Sequence, residues 1–322
     1  MITAKNYASQ AENGLKEFLV KANYLVELKT IDNYMVNSFI DGIKSSVHFC
    51  LPDNGKLLGD GARGLSGKYL RLPYKSITIE YYVDGSEHDD SNDDLTGHYP
   101  KRLVYATEVD ANLIRTLDTN GLIRNIDDDK FIMVFAACAN TDGVWVPGAM
   151  GMAVRQKWDN VRYAKKIEPL SRKTSLNGVD FCGLPVPLLP DLVDRLLHEY
   201  GSDTTIKGLC HDISMEVMAV IELCEALSCS NIEQSVFQHS ANNIKRFKKG
   251  KLPIYETKYL TLKHDQRKST KTGAVFDGYR NSPRQHLRRG HIRRLVDKNV
   301  WVNSCVVGDS GIGVIDKRYI VA

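Results

Sequence analysis

The run KFIMVFAACAN, residues 130–140, constrains the fold of this chain more than any other stretch of its sequence. It is apolar almost throughout, as expected for a central strand with both faces covered. Residues 75–83 (KSITIEYYV) and 101–109 (KRLVYATEV) alternate β-branched or aromatic residues with polar ones, which predicts two more strands. Residues 143–154 (GVWVPGAMGMAV) follow the turn sequence NTDG, so we expect them to form a hairpin with residues 130–140.

Three segments have the apolar spacing of helices. They are residues 5 to about 50, residues 188–201 (LLPDLVDRLLHEYG) and residues 211–229 (HDISMEVMAVIELCEALSC). The second has a proline near its start and closes on a glycine, as helices often do. Together with the strands, these helices predict an α+β fold in which a mainly antiparallel sheet carries packed helices.

The charge of the chain is divided unevenly between its two parts. The 322 residues have a net charge of +4, yet residues 245–322 contain 19 Lys and Arg against 6 Asp and Glu, which leaves 24 against 33 in residues 1–244. We therefore predict an acidic α/β body over residues 1–244, followed by a basic C-terminal region over residues 245–322. Such asymmetry is typical of proteins whose basic part meets nucleic acid or another polyanion.

Within the basic region, residues 242–251 (NNIKRFKKGK) are expected to form a charge-dense break, and the polar residues that follow are expected to form a long connector. The last residues turn apolar again in VWVNSCVVGD (300–309) and GIGVIDKRYIVA (311–322). These predict two strands separated by a turn at residues 308–313 (GDSGIG), so that the chain ends in a small β-rich element.

The sequence also predicts where the protein is located and argues against a metal site. No apolar run approaches the roughly 20 residues of a transmembrane helix, and the N-terminus lacks the layout of a secretory signal, so we expect a cytoplasmic protein with no membrane partner. Cys224 and Cys229 could join His286 and His291 in a zinc site. However, their C-x4-C spacing on an apolar helix, far from both histidines, does not match compact zinc modules, so we predict neither a metal nor a cofactor.

Residues 284–294, RQHLRRGHIRR, hold two histidines among five arginines, and we call them the basic cluster. As a strand they would have no apolar face. As a helix they would carry Gly290 in the middle, at a cost of about 1 kcal/mol relative to Ala. Gly290 therefore predicts a structural turn, a bend or bulge that could bring His286 and His291 to one side.

The residue types of the basic cluster allow three roles. The arginines could bind RNA phosphates, together with the basic residues at the start of the C-terminal region. Alternatively, His286 and His291 could act as general base and general acid, with arginine support, in a metal-independent ribonuclease. As a third role, the arginines could dock the basic region onto the acidic body. The candidate phosphate-binding residues are Arg284, Arg288, Arg289, Arg293, Arg294, Lys245, Arg246, Lys248 and Lys249.

The sequence RQHLRRGH, residues 284–291, resembles the pattern R-x-H-[I/L]-R-R-G-H. That pattern lies near the C-terminus of a family of phage- and plasmid-borne proteins that includes a type V-A anti-CRISPR protein. Residues 70–83, 143–154 and 220–229 look like two strands and the long helix of that family. After the motif, this chain continues with Ile292-Arg293-Arg294, where the family has aromatic residues.

The resemblance implies a mobile-element protein that protects its element from host defence. In the family, the body recognises the nascent target polypeptide, and loss of the target's messenger RNA follows during translation. We therefore expect this chain to bind a host defence protein or its nascent chain and to engage RNA or a ribosome-associated message through its basic region. A metal-independent ribonuclease is the alternative function, and a structural protein of a virion is a third.

Overall fold

The computed structural model of the chain describes residues 5–26, 28–57, 70–84, 99–117, 130–156, 173–176, 179–237, 240–262, 284–288, 291–302, 305–307 and 309–314. The helices of these ranges are α1 (Tyr7–Val26), α2 (Thr30–Ser45), α3 (Ala111–Leu117), α4 (Pro190–Tyr200), α5 (Ser202–Asp212), α6 (Ser214–Leu227) and α7 (Ser240–Phe247). Their strands are β1 (Val47–Cys50), β2 (Ser76–Tyr82), β3 (Lys101–Asp110), β4 (Lys130–Ala139), β5 (Trp145–Pro147), β6 (Met150–Arg155), β7 (Lys173–Leu176), β8 (Val179–Pro187), β9 (Ile232–Phe237), β10 (Thr257–Leu262), β11 (Arg284–Arg288), β12 (His291–Arg294), β13 (Asn299–Val302), β14 (Cys305–Val307) and β15 (Asp309–Val314).

The largest element of the fold is a mixed sheet in the order β7-β8-β6-β4-β3-β2-β1-β10-β9, with β5 also paired to β4. Strand β1 is parallel to its neighbours β2 and β10, whereas the other pairs are antiparallel. Smaller sheets join β14-β11-β15 and β12-β13. The prediction of an α+β fold with a mainly antiparallel sheet and packed helices is confirmed.

The strands predicted from alternation and apolar runs are confirmed as β2, β3 and β4. The predicted hairpin with residues 130–140 is also present, since β5 and β6 both pair antiparallel with β4. It is divided between two short strands because the register shifts between them: Ala137 lies opposite Pro147 and Val134 lies opposite Met152. In β4, eight of the ten residues are buried, as the nearly continuous apolar run predicts.

Each face of the large sheet has its own hydrophobic core, because alternate residues of a strand point to opposite faces. In β2, Ile77, Ile79 and Tyr81 belong to the core beneath α6. Glu80 points the other way, toward α1 and α2, and its carboxylate accepts the backbone N–H of Tyr7 at 2.7 Å and of Ala8 at 3.4 Å. This buried carboxylate caps the positive end of the α1 dipole and so fixes the helix on the sheet.

The prediction of a helix from residue 5 to about residue 50 is correct for α1 and α2 but wrong at its end. Helix α2 stops at Ser45, and Val47–Cys50 forms β1. This strand lies between β2 and β10, and all of its residues except Val47 are buried. Backbone pairing with two strands that are distant in sequence outweighs the helical spacing over these four residues.

The start of the basic region differs from the prediction. Residues 242–251 do not form a simple break, because α7 runs through Phe247. The Asn243 side chain anchors the helix: its Nδ2 donates to the carbonyl of Ile254 and its Oδ1 accepts the N–H of Ile254, both at 2.8 Å. The large sheet continues past residue 244, since β10 pairs with β1 and β9.

The end of the chain is rich in short strands, as predicted, but the turn expected at residues 308–313 is wrong. Strand β15 covers Asp309–Val314 and pairs in parallel with β11. Strand β11 lies more than 20 residues before β15 in the sequence, so the glycines of residues 308–313, which suggested a turn, do not reveal this pairing. The predicted connector at residues 263–283 lies outside the described residues. Among the helices described, none combines the length and apolarity needed to cross a lipid bilayer.

Candidate nucleic-acid interface

The basic cluster is divided between two strands that belong to different sheets. His286 lies in β11, opposite Val307 of β14, whereas His291 begins β12, opposite Val302 of β13. Arg289 and the predicted turn residue Gly290 lie outside the described residues. The other predicted phosphate-binding residues of β11 are Arg284 and Arg288.

The structure describes the backbone of β11 and of His291, and the side chains at these positions lie outside its description. Strands β11 and β12 belong to different sheets and do not pair with each other, so the described backbone does not bring His286 and His291 together. Their convergence therefore stays a prediction, and so does the catalytic role that depends on it.

The two arginines at the end of β12 have different surroundings. Arg294 Nη2 lies 3.9 Å from Glu225 Oε2 at the end of α6, and the Arg294 side chain is 37% exposed. Arg293, its neighbour on the strand, is exposed and has no ion-pair partner among the described residues. Arg294 therefore contributes to docking the basic region on the body, while Arg293 presents its charge to solvent.

The β12–β13 hairpin is held to the body by hydrogen bonds as well as by this ion pair. Asn231 Nδ2 donates to the carbonyl of Trp301 at 2.9 Å, and Asn231 Oδ1 accepts the N–H of Trp301 at 2.8 Å. The N–H of Ser230 donates to the carbonyl of Asn299 at 2.9 Å. These contacts favour the docking role for this end of the basic cluster.

A second cationic surface lies on α7 and the turn that follows it. Ile244 is 62% exposed, Phe247 86% and Leu252 39%, and four exposed lysines surround them. Residues 240–251 contain five basic residues and no acidic one. We call the following residues the α7 surface: Ile244, Lys245, Phe247, Lys248, Lys249, Lys251 and Leu252.

Helix α7 is held through Asn243 and Arg246, and it leaves Ile244 and Phe247 exposed. Asn243 contacts Ile254, as described above, and Arg246 Nε donates to the carbonyl of Leu252 at 2.7 Å. Ile244 and Phe247, three residues apart, lie on one face of the helix, and that face is open. Arg246, predicted to bind phosphate, is therefore partly used to hold the turn.

The exposure of Ile244 and Phe247 adds little to the stability of the fold. Burying a Phe or Ile side chain stabilises a fold by about 1.5–3 kcal/mol, and α7 gains little of this from Phe247. Single exposed apolar residues are ordinary, but here two lie side by side within a dense group of cations. The arrangement favours a role in binding, since its apolar and cationic groups face solvent together.

The described residues of the body do not neutralise the charges of the α7 surface. Lys245, Lys248, Lys249 and Lys251 have no ion-pair partner within the part of the chain that the structure describes. Three of these lysines were predicted to bind phosphate. Sequence reasoning missed Lys251 and the apolar pair Ile244 and Phe247, although two apolar residues inside the run NNIKRFKKGK are a visible signal.

Other ionisable groups of the body are buried and serve the fold. Arg102 Nη1 lies 3.2 Å from Glu216 Oε1, and the Glu216 side chain is 2% exposed. Burial raises the pKa of Glu216, although the neighbouring Arg102 opposes that shift. Burial also raises the pKa of Tyr81, which lies opposite Arg102 in the sheet. Because the Arg102 side chain is only 15% exposed and Glu216 is buried, this is a structural ion pair.

Two thiols of the body, Cys50 and Cys138, and the buried His48 are also unsuited to catalysis near neutral pH. Burial raises the pKa of both Cys50 and Cys138 to about 11, so both remain protonated and weakly nucleophilic. Burial lowers the pKa of His48 to about 4, and its Nε2 donates to the carbonyl of Ile43 at 2.9 Å. His48 is therefore neutral.

Metal-binding geometry is not found among the described residues, where no three His, Cys, Asp or Glu side chains are grouped to hold an ion. Cys224, considered for zinc, is buried in α6, and Cys229 Sγ donates to the carbonyl of Glu225 at 3.6 Å. The side chains of His286 and His291, which would complete such a site, lie outside the described residues.

Comparison with known proteins gives no further guide to the site. No protein-family model matches the chain, and no curated protein or solved structure matches it.

Proposed function

We propose that this chain is an RNA-binding protein whose principal contact with RNA is the α7 surface. The observation that carries this proposal is the set of four exposed lysines without acidic partners in the described structure, grouped around an exposed phenylalanine. Phosphate groups pair with such lysines and release their own counterions, which supplies most of the affinity of sequence-independent binding. Arg293 adds an exposed charge on the separate β12–β13 hairpin.

The wider role follows from the resemblance of residues 284–291. The body would bind a host defence protein or its nascent chain, and the basic region would engage the message, so that expression of the defence protein falls. Two modest contacts to one ribosome-associated complex reinforce each other through effective concentration. In this proposal the chain is the product of a mobile element and acts in the cytoplasm of the host cell.

The proposal is tested by removing the charge of the α7 surface. The variant Lys245→Gln/Lys248→Gln/Lys249→Gln/Lys251→Gln is compared with the wild type for binding to a labelled single-stranded RNA of about 15 nucleotides. Titrations between about 50 and about 200 mM salt give the slope of log affinity against log salt. We expect the slope to become less steep by up to about 3, since each lost phosphate contact on a single strand contributes about 0.7.

A matched control changes the same charge elsewhere. Lys16→Gln/Lys21→Gln/Lys75→Gln/Lys130→Gln removes four exposed lysines from other parts of the body. Equal effects of the two quadruple variants would contradict a site on α7 and leave only a general effect of net charge. The ribonuclease alternative is tested in EDTA with the same RNA: cleavage that disappears in His286→Ala/His291→Ala would make the chain an enzyme.

A further inference from the structure

An exposed aromatic side chain, Phe247, lies at the end of α7 among the lysines of the α7 surface. It is 86% exposed, and Ile244 one helical turn earlier is 62% exposed. A phenyl ring neither donates nor accepts a conventional hydrogen bond, so solvent offers it no compensation for this position. Its flat faces are the property that a ligand can use.

The position of Phe247 is fixed by the turn that follows it. The N–H of Gly250 donates to the carbonyl of Phe247 at 3.0 Å, and the N–H of Lys251 donates to the carbonyl of Arg246 at 3.0 Å. Gly250 has a φ of 62°, a left-handed conformation that glycine adopts without strain. Together with the Asn243 contacts, these bonds hold the backbone around the ring before any ligand arrives, which reduces the entropy lost on binding.

The charges around the ring identify the chemistry of the partner. Lys245, Lys248, Lys249 and Lys251 lie within four residues of Phe247, and this stretch of chain contains no acidic residue. A ligand that suits both groups combines closely spaced negative charges with flat aromatic surfaces. Nucleic acid has both, because phosphates and bases alternate along the same chain.

The exposed ring distinguishes single strands from duplexes. In a duplex the bases are stacked on one another, so a side chain can reach a base face only by unstacking a step, at a cost of a few kcal/mol. In a single strand the base faces are open, and stacking on an aromatic side chain is available for every base. Membrane insertion is less favoured, since the three exposed apolar side chains of the α7 surface offer little area to bury.

We propose that Phe247 stacks on an unpaired base and that the ligand of the α7 surface is single-stranded RNA. This inference rests on the proposed function, because it needs RNA to bind at α7. The lysines supply affinity for any strand, and Phe247 supplies the preference for unpaired nucleotides.

The experiment measures the affinity of wild type and variants for one labelled RNA of about 15 nucleotides, alone and annealed to its complement. For Phe247→Ala we expect single-strand affinity to fall about 5- to 150-fold and duplex affinity to stay within about twofold. Phe247→Trp retains an aromatic face and should keep the single-strand preference. Tyr24→Ala, which removes an equally exposed ring from α1, should change neither affinity.

The outcomes separate this inference from the proposed function. If the quadruple lysine variant weakens binding to both RNAs but Phe247→Ala leaves their ratio unchanged, RNA binding stands and the stacking role is wrong. If neither change affects RNA binding, the proposed function itself is wrong. Binding to vesicles of anionic phospholipid in preference to both RNAs would overturn the inference in favour of a membrane surface. Because Phe247 is exposed, Phe247→Ala should unfold at the temperature of the wild type.

Discussion

Acidification should destabilise the body through a single buried histidine, His48 in β1. Its ring is stacked on Tyr255 with centroids 4.3 Å apart, and the Tyr255 hydroxyl donates to Glu12 at 2.8 Å. Its Nε2 donates to the carbonyl of Ile43, so the neutral ring is already satisfied. A proton added to the ring would place a positive charge in the core without a carboxylate in direct contact.

The loss of stability on acidification follows from the difference between the pKa of the His48 imidazole in the unfolded chain and in the folded protein. Burial lowers the pKa of His48 from 6.5 to about 4 in the folded protein. Between these values the unfolded chain binds the proton more readily, so stability is fully present above about pH 6.5 and falls as the pH approaches 4. At 1.36 kcal/mol per pKa unit, the free energy of unfolding should drop by about 3 kcal/mol from this residue alone.

The assay is urea unfolding of the wild type and of His48→Gln between about pH 7 and about pH 4. Glutamine keeps an N–H donor for the Ile43 carbonyl but gains no charge, so the variant should lose about 3 kcal/mol less on acidification than the wild type. His198→Gln, at an exposed position of α4, should behave as the wild type. An identical loss of stability in wild type and His48→Gln would refute the assignment.

Two further predictions concern the ion pair and the hairpin. Glu216→Ala leaves Arg102 buried and unpaired, so it should lower the free energy of unfolding by about 3–5 kcal/mol in urea titrations. The double variant Arg102→Met/Glu216→Leu should lose clearly less stability than the sum of the losses of Arg102→Met and Glu216→Leu, since it removes both charges together. Strict additivity of the two losses would contradict the pairing. Asn231→Ala removes both side-chain bonds to Trp301, at a cost of about 1–3 kcal/mol, and should speed proteolysis within β12 and β13 without shifting unfolding of the body. Unchanged proteolysis would show that the hairpin is held by other contacts.

Much of the fold could be predicted because its strands carry a local signal. The apolar run of β4 and the alternating residues of β2 and β3 are typical of strands, although all three strands are buried on both faces of the sheet. The features that could not be predicted depend on contacts with residues distant along the chain. Strand β1 continues a helical pattern but is fixed by β2 and β10, and α7 is anchored by a contact between Asn243 and Ile254.

The candidate site was predicted in part. The lysines of α7 were expected from the charge asymmetry, whereas Phe247 was not, because the side of a helix that faces solvent depends on which residues bind the body. The bonds of Asn243 to Ile254 and of Arg246 to the Leu252 carbonyl leave Phe247 exposed, and the sequence shows neither contact. His286 and His291 were identified from the sequence because they lie five residues apart. The structure places them on strands of separate sheets, so their closeness in sequence no longer argues for a shared site.

The most direct test of an RNA site on α7 is ultraviolet crosslinking of the wild-type protein to single-stranded RNA, followed by mass spectrometry of the digested complex. A stacked phenyl ring lies in contact with a base, which is the geometry that crosslinking requires. We expect the principal crosslinked peptide to contain Phe247, and we expect the crosslink to weaken in the quadruple lysine variant. Crosslinks confined to the basic cluster at residues 284–294, with none on α7, would contradict this assignment.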